Sequence, residues 1–506
     1  MNCVSTLALV LSSLLPILWL ACALITRVVK IPIACLISLF FASFGGLVIW
    51  HMPISIFFWS VLDGVAFAIW PILWAVFSAL FAYQVTCVTG AIDGIKESLA
   101  RISDDRAIQA IALAFCFGAL LEGVAGFGTS VVIPAALLVS MGFAPYSAAL
   151  TSLLANTVPV VYAAVGIPII ALGRVTGLSV ASLTRSIAIQ LLPIAIVVPV
   201  VIALVLKTPP VRLGPAVGAG LVFGLTQTLV AWHIGPELPA ILAPLVTLVF
   251  LIIYTRLAEP KLPYQPRLSS AGSLKFLGCW APYILLVILV LVTRLVPDLR
   301  GILTSKPFLW VFPEKAIGKT ITLDILYTPG SLIFLSTILG GLFIGARLYS
   351  FKKAFANAAV QVVPTIMLTI SMVTMANVMS SAGMTSFLAR QLASSLGNWF
   401  PLLSPAVGAL GTFLAGSDTA SNVLFGNLQV STAGSIGAST IWLAAANATG
   451  ATGGKLLSLQ NLTLAASGIG RPGEEATLLR RTVFYCLAYL IFLGLIVYIG
   501  SMGISG

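Results

Sequence analysis

Long apolar runs alternate with short polar joints along the whole chain. The runs lie at 5–25, 31–50, 57–86, 184–206, 212–232, 236–256, 276–296, 326–349, 354–380 and 481–500. About 20 apolar residues in helical form cross a bilayer. Two further regions, 107–173 and 401–470, are apolar but broken repeatedly by Gly, Pro, Asn, Thr and Ser. Nothing alternates with the period of a barrel strand, so helix is the expectation throughout. The pattern predicts an all-α polytopic membrane protein of about 12–14 transmembrane segments.

The polar joints divide the chain into an N-terminal half, 1–256, a linker at 257–275, and a C-terminal half, 276–506. A second polar stretch, 297–325, reads as a surface excursion. Residues 93–106 are polar and mildly amphipathic and suit a short surface helix.

Charge sharpens this picture. Of 506 residues, 26 are Lys or Arg and 14 are Asp or Glu, or 8% charged, while 59% are hydrophobic. Soluble domains carry about 25% charged residues, so a soluble enzyme or a disordered protein is excluded. The net charge of +12 comes from basic residues scattered between apolar runs. That is the mark of the positive-inside rule rather than of a nucleic-acid partner. Arg27 and Lys30, then Lys96, Arg101 and Arg106, then Arg347, Lys352 and Lys353, then Arg471, Arg480 and Arg481 mark four joints. With these joints cytoplasmic, both termini lie outside. The seven cysteines form no C-x-x-C pair, and His51 and His233 are far apart. No metal site and no cofactor are expected. No P-loop, H-E-x-x-H or triad pattern occurs, so no enzyme is expected.

An internal repeat follows from alignment. Residues 118–129, GALLEGVAGFGT, set above 408–419, GALGTFLAGSDT, share six of twelve residues at an offset of 290. Asn156-Thr157 interrupts an apolar run 27 residues after Thr129, and Asn447-Ala448-Thr449 interrupts another 28 residues after Thr419. By the loop charges, the first copy enters the membrane from the cytoplasm and the second from outside. Two similar units of opposite topology are the signature of an inverted-repeat secondary transporter, with its site near the midplane.

Gly123, Gly126 and Gly128 weaken a regular helix. Backbone groups freed at membrane depth must be buried in protein or line a cavity. A following half-helix offers its N–H groups to an anion. The candidate substrate contacts are Thr129, Ser130, Asn156 and Thr157 in the first copy. In the second they are Ser417, Thr419, Ser421, Asn422, Asn447 and Thr449. Lys455, the only cation inside the second broken region, either pairs with Asp418 or faces an anionic substrate, and Gln460 and Asn461 stand near it. Three acids, Asp63, Glu122 and Asp418, lie within apolar sequence. Charge there is costly and points to function. Glu122 and Asp418 are the candidate proton carriers, because desolvation makes a carboxyl easier to protonate. Asp63 reads equally as a helix-packing acid. Arg174 and Arg185 read as interfacial.

The stretches 117–128, FGALLEGVAGFG, 153–169, LLANTVPVVYAAVGIPI, 234–239, IGPELP, 416–429, GSDTASNVLFGNLQ, and 445–461, AANATGATGGKLLSLQN, resemble the L-lactate permease family in the same order. The resemblance implies proton-coupled import of lactate and related 2-hydroxymonocarboxylates such as glycolate, in a bacterial inner membrane. The wider superfamily implies hairpin tips at Gly126–Ser130 and Gly416–Asn422, and interrupted helices breaking at Asn156–Pro159 and Asn447–Gly450. An elevator motion is proposed there, and a homodimer is expected by analogy alone. Thr129-Ser130 stands where the family pattern has Ala-Pro, and Leu459 where it has Pro. A sodium-coupled or exchange transporter of another small anion, a dicarboxylate or sulfonate, is the alternative reading.

Overall fold

The computed structural model describes residues 3–26, 29–100, 102–103, 105–124, 126, 128–209, 213–258, 278–305, 308–314 and 319–503. All but two residues of the expected linker 257–275 lie outside them. Among the described residues, nine helices are long and apolar enough to cross a membrane, and Leu7–Ala23, Thr129–Ser140 and Pro329–Phe343 are shorter apolar helices. The protein is a multi-pass, helical membrane protein.

One small sheet departs from the all-α expectation. The excursion at 297–325 holds a short helix, Pro297–Leu303, and an antiparallel pair of strands, Leu309–Glu314 and Lys319–Asp324. The pair is tied to the bundle where the indole of Trp70 donates to the carbonyl of Asp324 at 2.9 Å.

The repeat extends far beyond the twelve aligned residues. Ile54 and Leu348, Arg106 and Phe400, Pro145 and Thr440, and Val180 and Glu475 each begin corresponding helices. The paired starts are 294 or 295 residues apart. The tip glycines Gly126 and Gly416 are only 290 apart. The first hairpin arm therefore runs four residues longer before its tip. It contains a π-helical stretch, Ile111–Phe117, absent from Phe400–Ala415, and π-bulges accommodate extra residues within a helix.

Burial assigns the layers. The helical segment Arg106–Val124 is 94% buried, whereas Glu475–Met502 is 22% buried. A helix that is apolar and buried all round lies inside a bundle, so the entering arm of the first hairpin is interior and the last helix is peripheral. Two apolar clusters result. One gathers Phe115, Phe117, Tyr162 and Phe223 around the first hairpin. The other gathers Phe67, Val76, Met372 and Met379, between Ile54–Val88 and the 34-residue helix Leu348–Ser381.

The expected break at Asn447–Gly450 is corrected. Thr440–Gly454 is one continuous helix. It crosses Phe400–Ala415 so closely that a Cβ on Gly450 would lie 2.0 Å from the carbonyl of Pro405, and one on Gly454 2.1 Å from that of Ala409. These small residues serve close helix packing. The chain instead leaves the helix at Lys455 and re-enters one at Leu459, with Ser458 as N-cap.

Candidate functional site

Each hairpin turns on a left-handed glycine, Gly126 at φ +60° and Gly416 at φ +69°, a conformation that side chains with a Cβ adopt at a cost. The returning helix of the second hairpin, Asp418–Ile436, is capped by Ser417, whose Oγ accepts from the N–H of Ala420. Both tips press on one short helix, Leu459–Gly468. A Cβ on Gly128 would meet Leu464, and one on Gly416 would meet Gln460.

Between these elements lies a cavity of about 590 Å³. Its wall includes Gly126 and Gly128 of the first tip, Ser417, Asp418 and Thr419 of the second, and Ala163 and Ala164 of the first broken helix. Lys455, Gln460 and Asn461 come from the second broken helix, and Thr365 and Thr369 from Leu348–Ser381. Ala164 and Val165 there have φ of +44° and +58°, and strain of this kind gathers at ligand sites.

Lys455 Nζ lies 2.8 Å from Oε1 of Glu122, with side chains 9% and 1% exposed. The alternative pairing with Asp418 is therefore corrected: the lysine's partner is Glu122. Ser130 Oγ donates to the other oxygen, Oε2. Asp418 is buried, and among the described residues neither of its carboxyl oxygens has a hydrogen-bond partner. Among the described residues Lys455 is the one cation lining the cavity. It caps the C-terminus of Thr440–Gly454, as Asn156 caps that of Pro145–Ala155. The two residues thus hold the same helix-end position, and a cation suits a helix C-terminus.

The remaining sequence candidates separate by position. Ser417, Thr419 and the two acids line the cavity. Thr129 Oγ1 donates to the carbonyl of Gly126 and braces the tip. Asn156 is buried with both side-chain polar atoms unpartnered among the described residues, and Thr157 Oγ1 donates to the carbonyl of Leu154; neither lines the cavity.

Ser421, Asn422, Asn447 and Thr449 stand behind the wall rather than in it. Ser421 Oγ donates to the carbonyl of Gly408 at 2.7 Å. Asn447 Nδ2 donates to Oδ1 of Asn422 at 3.0 Å, and Gln429 Nε2 to Oδ1 of Asn447 at 3.4 Å. Thr449 Oγ1 donates to Oε1 of Gln190 at 2.7 Å. Thr365 and Thr369 were not legible from the repeat. Their signal is Pro364 within a long apolar helix, followed by hydroxyls at i and i+4 on one face.

Asp63 lies outside the cavity wall. It accepts from Arg174 Nη2 and from Asn377 Nδ2, each at 3.0 Å. Arg174, expected at an interface with water, is drawn into this contact.

Residues 9–502 match the family model described as L-lactate permease. The chain belongs to the L-lactate permease family. An L-lactate permease of Streptococcus iniae is 32% identical over 86% of this chain and 92% of its own. One of Bacillus subtilis is 31% identical over 97% and 95%. A glycolate permease of Escherichia coli is 31% identical over 98% and 96%. The solved structure of Neisseria gonorrhoeae MtrF is similar at a TM-score of 0.49 and 16% identity, covering 91% of this chain and 86% of that one. Within the permease family, the cavity is the place where this chain brings both repeats, one lysine and two buried acids together.

Proposed function

We propose that this protein is a secondary transporter that imports a small 2-hydroxymonocarboxylate, lactate or glycolate, together with a proton across the bacterial inner membrane. The observation that carries the reading is Lys455 in a cavity walled by both hairpin tips. The names of its relatives support the substrate class, L-lactate in two and glycolate in a third.

In this reading the substrate carboxylate pairs with Lys455. The first turn of Asp418–Ile436 adds the positive end of a helix, and Thr419, Gln460 and Asn461 offer polar contacts to a hydroxyl. The apolar wall from Ile167, Leu368 and Met372 suits a short carbon chain and disfavours a second charge. The proton is carried by an acid of the same cavity, Glu122 or Asp418, since a buried carboxylate without compensation is costly.

Proteoliposome uptake tests it. L-lactate accumulation should rise with an inward proton gradient and stay the same when sodium is removed. Sodium dependence would contradict proton coupling. A competition panel of lactate, glycolate, pyruvate, succinate and a sulfonate tests the substrate, and strong competition by succinate alone would contradict the monocarboxylate class.

A further inference from the structure

We propose that Glu122 occupies, in the empty carrier, the position on Lys455 that the substrate carboxylate takes, so that substrate binds only when Glu122 accepts a proton. The inference deepens the reading of the cavity as a carboxylate site and rests on it.

Three observations carry it. Glu122 and Lys455 both line the cavity and pair at 2.8 Å, so a carboxylate already sits where an anionic substrate would bind. Lys455 is the one cation lining that cavity among the described residues, so two carboxylates cannot both be neutralised by it. Glu122 has a second partner, Ser130, on its other oxygen. A serine hydroxyl accepts as well as donates, so a protonated Glu122 keeps a hydrogen bond after it leaves the lysine.

The charge count follows. The empty pair, ammonium and carboxylate, is neutral. A substrate anion alone would leave one uncompensated negative charge in a buried site, which is strongly unfavourable. An anion plus one proton restores neutrality. The proton comes from water on the side to which the cavity is open, and goes to Glu122, which releases Lys455. No covalent bond to substrate forms, and release reverses both steps.

The other charged or titratable groups on surrounding elements include Asp418 and Glu475 in the cavity wall, the buried Glu237 ahead of Pro239–Ala258, the buried Cys116 and Tyr162, and Tyr489, whose hydroxyl donates to the carbonyl of Thr449. Asp418 acts on Lys455 electrostatically through space, but the hydrogen-bonded ion pair of Lys455 is with Glu122, so Glu122 is the group that substrate must displace.

The test is binding of labelled L-lactate to the purified full-length protein in detergent, measured by equilibrium dialysis across pH. With one proton taken up per lactate, the wild-type Kd should tighten by up to about tenfold per unit of falling pH on the alkaline side. In Glu122→Gln this slope should vanish, with alkaline binding as tight as the wild type shows in acid. A wild-type slope in Glu122→Gln overturns the proposal. Lys455→Gln should lose binding at every pH, and wild-type affinity in that variant also overturns it. Ser130→Ala, which leaves the ion pair in place, should move the pH at which affinity changes, and an unmoved profile counts against the proposal. A wild type that binds no carboxylate of the panel would defeat the functional reading itself, whereas lactate binding with an unaltered Glu122→Gln slope defeats only this step.

Discussion

Arg174 donates to Asp63 across 3.0 Å, joining the helix that leaves the first chain break to a helix of the other apolar cluster. The guanidinium also lies 4.4 Å from the ring centre of Phe67. The side chains are 26% and 15% exposed, so the pair is partly shielded from water. Because neither residue lines the cavity, their contribution is to how the two clusters meet.

Asp63→Asn keeps a hydrogen-bonding side chain opposite Asn377 but removes the charge facing Arg174. The expected cost is about 1–3 kcal/mol, read as a lower Tm in detergent. Lactate Kd should stay within about twofold. A tenfold change in Kd would instead place Asp63 in the substrate site.

Gly128→Ala should impair the first hairpin tip for two reasons. Its φ of +82° is unfavourable for alanine, and the new Cβ would fall 2.1 Å from Cδ1 of Leu464. The backbone part costs about 1–2 kcal/mol. Adding Leu464→Ala removes the clash but not the backbone strain. The double variant should therefore recover part, and not all, of the transport rate lost by Gly128→Ala. Complete recovery would show that the backbone conformation is unimportant.

Gly450→Ala tests the close helix crossing. Its Cβ would meet the backbone carbonyl of Pro405 at 2.0 Å, and a backbone cannot swing aside as a side chain can. Overpacking of this kind costs about 1–3 kcal/mol. Gly434→Ala is the control, since nothing lies within 4 Å of its Cβ. It should stabilise its helix by about 0.5–1 kcal/mol. Thermal unfolding of the two proteins should move in opposite directions. Equal shifts would contradict the crossing.

Asn447→Ala distinguishes a packing role from a substrate role. The change leaves Asn422 Oδ1 and Gln429 Nε2 without their Asn447 contacts in a buried setting. The expected loss is about 1–3 kcal/mol of stability with little change in lactate Kd. Loss of binding in a protein of wild-type Tm would return Asn447 to the site.

The hairpin tips were legible because glycine is informative in an apolar run: Gly126 and Gly416 are where the chain must turn. The acids Glu122 and Asp418 and the cation Lys455 were legible because charge is rare there. The second break was misplaced because Asn447-Ala448-Thr449-Gly450 carries the same residue types as a break. Those residues are needed instead for a helix crossing and a buried amide network. Small and polar residues fit either use, and only the neighbouring helix decides between them.

The sequence by itself determined that this is a polytopic helical membrane protein, which family it resembles, and which few charges lie among apolar residues. These properties depend on composition and on motifs that can be read locally. Tertiary structure alone decided that Lys455 pairs with Glu122, 333 residues earlier, that Asp418 has no hydrogen-bond partner among the described residues, and that Asp63 belongs to Arg174. The interaction between charges depends on their separation and burial in space. Those are set by how closely glycine-lined helices pack, and no one-dimensional spacing records them.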